Sequence, residues 1–261
     1  MDSFQYIRAS LPAKIRSEIE GFSCDGDSSG LSGASVYKLS HNDQTLYLKI
    51  EKEKNENIRE HAVFQWLRDK LPVPEVIASC TENGVSYLLT TKAGGECACS
   101  EYHMKNPEQL SALLAAGIRA LQSVNIDDCP FVNSLDYKLR TAKSRIKKGL
   151  VDMSDWNEDT MFQSPDKLYE YLAAHRPDET PCFTHGDYCL PNVFFENKNV
   201  SGFIDLGRAG IADIWQDIAL CVRSMHFNFG TDKYDKVFFE HLGMKPDYQK
   251  IEYYILLDEL F

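Results

Sequence analysis

His185-Gly186-Asp187-Tyr188-Cys189-Leu190-Pro191-Asn192, followed by Phe203-Ile204-Asp205-Leu206-Gly207-Arg208, is the stretch on which the reading of this chain turns. It places an Asp five residues before an Asn and returns a second Asp, in an Asp-x-Gly setting, after a short strand. Taken alone, His-Gly-Asp is compatible with an Asx-rich turn that bonds only its own backbone. The combined spacing is much harder to reach by accident. A carboxylate beside an attacking hydroxyl, with oxygen ligands for a Mg²⁺ that bridges nucleotide phosphates, is what phosphoryl transfer requires. Asp187 fits the first part, and Asn192 with Asp205 the second.

Working outward, Val193–Phe195 and Val200–Ile204 read as two short strands around a turn at Asn197-Lys198-Asn199. Helices are expected at Ala212–Phe227, Lys233–His241 and Tyr248–Leu260, and upstream at Pro107–Val124, Asp136–Leu150 and Pro165–Ala174, the last capped by Ser164. Before Ala93-Gly94-Gly95 the pattern is different. Strands are expected at Ser35–Leu39, Thr45–Ile50, Glu75–Ser79 and Ser86–Thr91, with a helix over Asn55–Lys70 and a short opening helix over Ala13–Glu20. The Gly/Ser/Asp-rich run Cys24–Gly33 reads as a loop. Strands followed by helices, with one switch point, predict an α+β chain of two lobes. Residues 1–92 form a small antiparallel-sheet lobe, and residues 93–261 a larger helical one.

The chain has 261 residues and a formal charge of −11. Residues 1–148 carry 19 Lys+Arg against 19 Asp+Glu, whereas residues 149–261 carry 9 against 20. An acidic chain disfavours a nucleic-acid partner. No run approaches the ~18 apolar residues of a membrane span, and the N-terminus lacks the pattern of a secretory signal. The eight cysteines are scattered, and their closest pair, Cys97-x-Cys99, lacks the two-residue gap of thiolate metal sites. A cytoplasmic protein with reduced thiols is expected, a monomer or weak dimer.

The His185–Asn192 and Phe203–Arg208 segments resemble the catalytic and metal-binding loops of protein-kinase-like phosphotransferases. More closely, Val200–Arg208 and the tail Tyr253-Tyr254-Ile255-Leu256-Leu257-Asp258-Glu259-Leu260-Phe261 are similar to the aminoglycoside 3'-phosphotransferases. The similarity continues through Leu71-Pro72-Val73-Pro74, Asp128-Cys129-Pro130 and Cys221-Val222-Arg223-Ser224. The six residues between Asp205 and the helix expected at Ala212 are too few for a protein kinase's activation segment. The resemblance implies a two-lobed, kinase-like fold that moves the γ-phosphoryl of ATP, or GTP, with Mg²⁺ to a hydroxyl of an aminoglycoside, most readily at the 3' position.

On this resemblance Asp187 accepts the hydroxyl proton, and Asn192 and Asp205 hold Mg²⁺. Lys49, held by Glu60, grips the α- and β-phosphates; Glu56 is the local rival to Glu60. Ser32 belongs to the phosphate loop, Tyr47 stacks on adenine, and the Thr91 carbonyl and Ala93 amide bond the adenine edge. His185 is expected to shape the loop through a backbone carbonyl or Asp205. An aminoglycoside is a polycation, so carboxylates must replace its hydration. The candidates are Asp155 and Glu158 in an acid-rich segment, with the carboxamide of Asn157 between them, and Asp258, Glu259 and the carboxylate of Phe261 at the end of the chain. Arg208 and Arg223 are assigned to the substrate side, or to ion pairs with Asp213 or Asp217. Where some family members carry an acid after the Arg-Ser pair, this chain has Phe227. The alternatives are a kinase of choline or an amino sugar, and a nucleotide-binding regulator without catalysis.

Overall fold

Antiparallel strands β1 (Ser23–Ser29), β2 (Ser35–His41), β3 (Gln44–Lys52), β4 (Val76–Glu82) and β5 (Val85–Thr91) form one sheet in the order β1-β2-β3-β5-β4 in the computed structural model. The structure describes residues 3–29, 34–52, 56–154, 156 and 161–261. Ser32, Asp155, Asn157 and Glu158, all named above as site residues, lie outside the described residues.

Alternation along β3 divides its side chains between two faces. Leu46 and Leu48, with Ile50 beside them, join Leu39 and Leu89 in the apolar core that Leu11, Ile15 and Ile19 close. Ile15 belongs to helix α2 (Ala13–Glu18), which follows α1 (Ser3–Ser10). Tyr47, Lys49 and Glu51 occupy the opposite face. There Glu51, buried, accepts the Asn57 N–H at 3.1 Å near the start of helix α3 (Glu56–Leu67). A carboxylate at a helix N-terminus satisfies orphan donors and complements the dipole. The Asn57 side chain in turn donates to the Lys49 and Ser86 carbonyls. The charged run after Lys49 is therefore not uniformly solvated.

Two units divide the described chain. The first comprises residues 1–95 together with 194–197 and 201–208; the second comprises 96–193, 198–200 and 209–261. The return to the first unit has a local cause: the Phe203 N–H donates to the Pro72 carbonyl at 3.0 Å, and the Ser201 hydroxyl to Gly94 at 2.7 Å. Asp205 thus belongs with the sheet unit, although it lies beyond the expected boundary at residue 93.

The second unit is mostly helical: α4 (Glu101–Met104), α5 (Pro107–Gln122), α6 (Leu135–Lys147), α7 (Pro165–Ala174), α8 (Trp215–Phe229), α9 (Asp235–Leu242) and α10 (Tyr248–Asp258). Its strands include β6 (Glu96–Cys97) and the antiparallel pair β7 (Pro181–Thr184) and β10 (Gly210–Asp213). A further hairpin, β8 (Val193–Glu196) and β9 (Asn199–Phe203), whose residues 194–197 and 201–203 belong to the first unit, turns on Asn197 and Lys198, both at positive φ. Ser164 caps its helix as expected, accepting the Lys167 N–H, and Asp247 caps another by accepting the Lys250 N–H. No helix of the described residues is long and apolar enough to cross a membrane.

Several elements depart from the sequence expectation, α1, α4 and β6 among them, none of which was expected. Cys24–Gly33 is not all loop, because Ser23–Ser29 pairs with β2 as an edge strand carrying an irregularity between Cys24 and Gly26. One paired edge suffices to order a run that shows no alternation of its own. The four-residue strands β7 and β10 are too short to show a period. Ala212 accordingly lies in a strand, and the helix expected there starts at Trp215, ten residues after Asp205. At Gly210 a Cβ would come within 2.7 Å of the Phe131 carbonyl, which also accepts the Ile211 N–H at 2.8 Å. That close approach, rather than helix propensity, decides the segment.

Candidate active site

In the first unit, the Lys49 ammonium donates to Glu60 at 3.0 Å and to Asp205 at 2.7 Å. Glu60, buried, also accepts the Leu206 N–H at 3.0 Å through its other oxygen. Glu60, one turn along from Glu56, is therefore the partner of Lys49. Burial works against the charged form of Lys49, but the two carboxylates outweigh it and raise its pKa. For Glu60 burial raises the carboxyl and Lys49 draws it back down. Asp205 sits at φ +60, a left-handed conformation that Asp tolerates better than most residues and that clusters at functional sites. Arg208 closes the short helical turn Leu206–Arg208 just beyond it.

Tyr47 shares the Lys49 face of β3 and is half-buried. Thr91 ends β5, where its N–H donates to the Glu75 carbonyl and its hydroxyl accepts the Glu75 N–H, both at 2.9 Å. Ala93 is buried against Gly202, where a Cβ would lie 2.8 Å from the Ala93 Cβ. Among the described residues the Ala93 N–H has no hydrogen-bond partner. A free backbone donor is what reading an adenine edge needs.

In the second unit, the loop 185–192 hangs from buried acceptors. Asp217 on α8, 2% exposed, accepts the His185 N–H at 2.6 Å and the Gly186 N–H at 3.0 Å. Burial raises the Asp217 carboxyl, while His185 and the two amides lower it. The His185 ring accepts the Asp187 N–H through Nδ1 at 3.3 Å, a contact within the loop that the sequence reading did not name. Ser224 Oγ accepts the Leu190 N–H at 3.0 Å. Asn192 donates from its amide nitrogen to the Asp187 carbonyl at 3.0 Å and carboxylate at 3.2 Å. Its carboxamide oxygen is left for another partner.

Tyr188 is fully buried and donates to the Leu114 carbonyl at 2.8 Å. Gly117 leaves room for that hydroxyl, because a Cβ there would collide with it. Gly117→Ala is expected to destabilise the protein by about 1–3 kcal/mol, as overpacking does. Tyr188→Phe in the same chain should recover part of that loss. Urea unfolding of the single and double variants measures both, and strict additivity would refute the clash.

Arg223 does not pair with Asp213 or Asp217. It bridges Asp258 and Glu259 instead. Burial opposes its charge, but Asp258, Glu259 and then Asp187 raise its pKa. Asp213 is engaged by the Thr180 N–H, the Tyr254 hydroxyl and Lys250. The two acids expected to meet a cation are therefore partly neutralised from within. Glu259 keeps 40% side-chain exposure against 12% for Asp258. Phe261 is docked rather than frayed: Arg145 donates to the carbonyls of Leu260 and Phe261, and Lys138 lies over its ring. Phe227 is 87% exposed.

Sequence reasoning missed Asp217, Ser224 and Glu51 as supports of the site. A signal for Asp217 existed, an acid inside the apolar run Ile214–Val222. For Ser224 and Glu51 none did.

The chain belongs to the phosphotransferase enzyme family, whose model matches residues 25–254. It is 43% identical over 259 residues to an aminoglycoside 3'-phosphotransferase of Enterococcus faecalis, covering 96% of this chain and 98% of the relative. Among solved structures, an aminoglycoside-3'-phosphotransferase of type VIII superposes with a TM-score of 0.86 at 27% identity, covering 100% of this chain and 98% of the other. An aminoglycoside phosphotransferase from Streptomyces rimosus, in complex with ADP and streptomycin, shares the fold at a TM-score of 0.76 and 22% identity, again over 100% and 98%.

Proposed function

We propose that this chain is an ATP-dependent aminoglycoside 3'-phosphotransferase. The observation that carries phosphoryl transfer is the joining of Lys49 to both Glu60 and Asp205, a lysine held where it can meet nucleotide phosphates. The choice of acceptor rests on the similarity to aminoglycoside 3'-phosphotransferases over nearly the whole chain.

In this reading Asp187 orients the acceptor hydroxyl and takes its proton, with Asn192 fixing the carboxylate by one N–H. Lys49 binds the α- and β-phosphates, and Ala93 and Thr91 offer backbone groups to the base, with Tyr47 on the same strand face as Lys49. The Asn192 carboxamide oxygen and the Asp205 carboxylate are hard oxygen donors that suit Mg²⁺. That ion commonly takes one or two protein ligands and completes its shell with phosphate oxygens and water. Mg²⁺, when bound, offsets the charge of the transferring phosphoryl. Asp258, Glu259 and the Phe261 carboxylate are the described candidates for meeting the polycation and Arg208 for meeting the phosphates; Asp155, Asn157, Glu158 and Ser32 keep the roles that the resemblance implies. Arg223 holds the two acids of α10's end in place. The product carries added negative charge and binds an anionic RNA target less well, which is resistance.

ADP release with kanamycin, neomycin, choline and homoserine as acceptors tests the assignment. Turnover on the first two, and not on the others, is expected; turnover on choline alone would replace the reading. The KM for kanamycin should rise with added salt, because charge attraction at exposed carboxylates is screened over ~8 Å at physiological ionic strength. A salt-independent KM would argue for a neutral acceptor.

A further inference from the structure

All eight cysteines are free thiols, and two of them meet. Cys97 Sγ lies 2.8 Å from Cys99 Sγ. The cause is a turn: the Ser100 N–H donates to the Cys97 carbonyl at 2.9 Å, and the Cys99 N–H reaches Cys97 Sγ at 3.4 Å. Such a turn folds side chains two residues apart to one side. It also keeps their Cα atoms within the ~4.4–6.8 Å that a disulfide needs. Cys97 is half-buried and Cys99 exposed. Cys97 Sγ also points at the carbonyls of Pro191 and Leu190, at 3.5 and 3.7 Å. Pro191 directly precedes Asn192.

We propose that Cys97 and Cys99 form a reversible dithiol–disulfide switch, closed by a hydroperoxide, on the loop that carries Asn192. The exposed Cys99 thiolate attacks a peroxide oxygen; the O–O bond breaks, and Cys99 becomes a sulfenic acid as water or alcohol leaves. Cys97 sulfur then attacks Cys99 sulfur, the S–O bond breaks, and water departs with the Cys97 proton. Two thiols have lost two electrons and two protons, and the peroxide has gained them. Burial pushes the Cys97 thiol up to about 12, which suits the resolving role rather than the first attack. Once oxidised, Cys97 has no S–H to give to the Pro191 and Leu190 carbonyls, and its sulfur is drawn toward Cys99. The loop loses a contact one residue from Asn192.

The effect on activity rests on the role proposed above for that loop; the disulfide itself does not. The full chain is treated with hydrogen peroxide, quenched with catalase, and divided between peptide mass mapping and an ADP-release assay with kanamycin. The expected result is a 97–99 peptide lighter by two hydrogens and resistant to alkylation. Turnover should fall at least ~5-fold, as small misplacements at a reacting centre do, and dithiothreitol should restore both. Cys99→Ser should keep the untreated activity and lose the sensitivity. Absence of the disulfide overturns the proposal, as does a disulfide that leaves turnover unchanged or a Cys99→Ser chain inactivated to the same extent. If untreated protein releases no ADP, the acceptor assignment fails instead. Mass mapping and the affinity for Mg·ATP before and after oxidation then decide the switch.

Discussion

Asp187→Ala lowers kcat at least ~100-fold while the protein stays folded, the scale of a positioned general base. The two halves of this expectation rest on different bonds. Among the described residues, the carboxylate that would be lost accepts one side-chain hydrogen bond, from Asn192. The bonds described above that hang the loop are made by other groups: His185 and Gly186 N–H on Asp217, Leu190 N–H on Ser224, and Asn192 on the Asp187 backbone carbonyl. Circular dichroism and urea unfolding should therefore match the parent, while turnover with kanamycin collapses. A sensitive bacterium expressing the variant should regain susceptibility. Near-normal turnover would remove Asp187 from the role.

Lys49→Met should be both inactive and unstable. Lys49 and Glu60 retain only 14% and 4% side-chain exposure, so removing the ammonium strands a buried carboxylate. Breaking such a pair costs about 3–5 kcal/mol. Adding Glu60→Gln should return much of that stability, since an amide oxygen can still accept the Leu206 N–H. It should not return activity, which is expected to stay down ~10²–10³-fold as when a preorganised charge is removed. Denaturant midpoints separate the two effects. A single variant as stable as the parent would mean that the pair is not energetically coupled.

Much of this was legible before any coordinates. The period-two strands and capped helices marked the fold class, because each element's pattern agreed with its final packing. Pairs close in sequence, such as Asp187 with Asn192, were readable as a motif. Elements ordered by partners were not. The polar strand Ser23–Ser29 exists through β2, and Gly210–Asp213 through Pro181–Thr184 and Phe131. Long-range choices also escaped. Charge counting pointed Asp258 and Glu259 at a ligand, but only three dimensions reveal that Arg223 already lies against both. The choice between Glu56 and Glu60 likewise waited for a distance.

The bond between Lys49 and Asp205 spans 156 residues of chain. During synthesis the five-stranded sheet emerges first, but its lysine has only Glu60 to hold, and neither the Pro72 carbonyl nor the second Glu60 oxygen has yet met its donor. Those partners arrive after most of the helical unit has left the ribosome. Long-range contacts of this kind close slowly, because the loop entropy is spent before the contact returns anything. The first unit is thus translated early and completed late. A nascent chain paused before Phe203 leaves this sheet without those late partners, and exposed, unfinished sheet is the kind of surface on which aggregation starts.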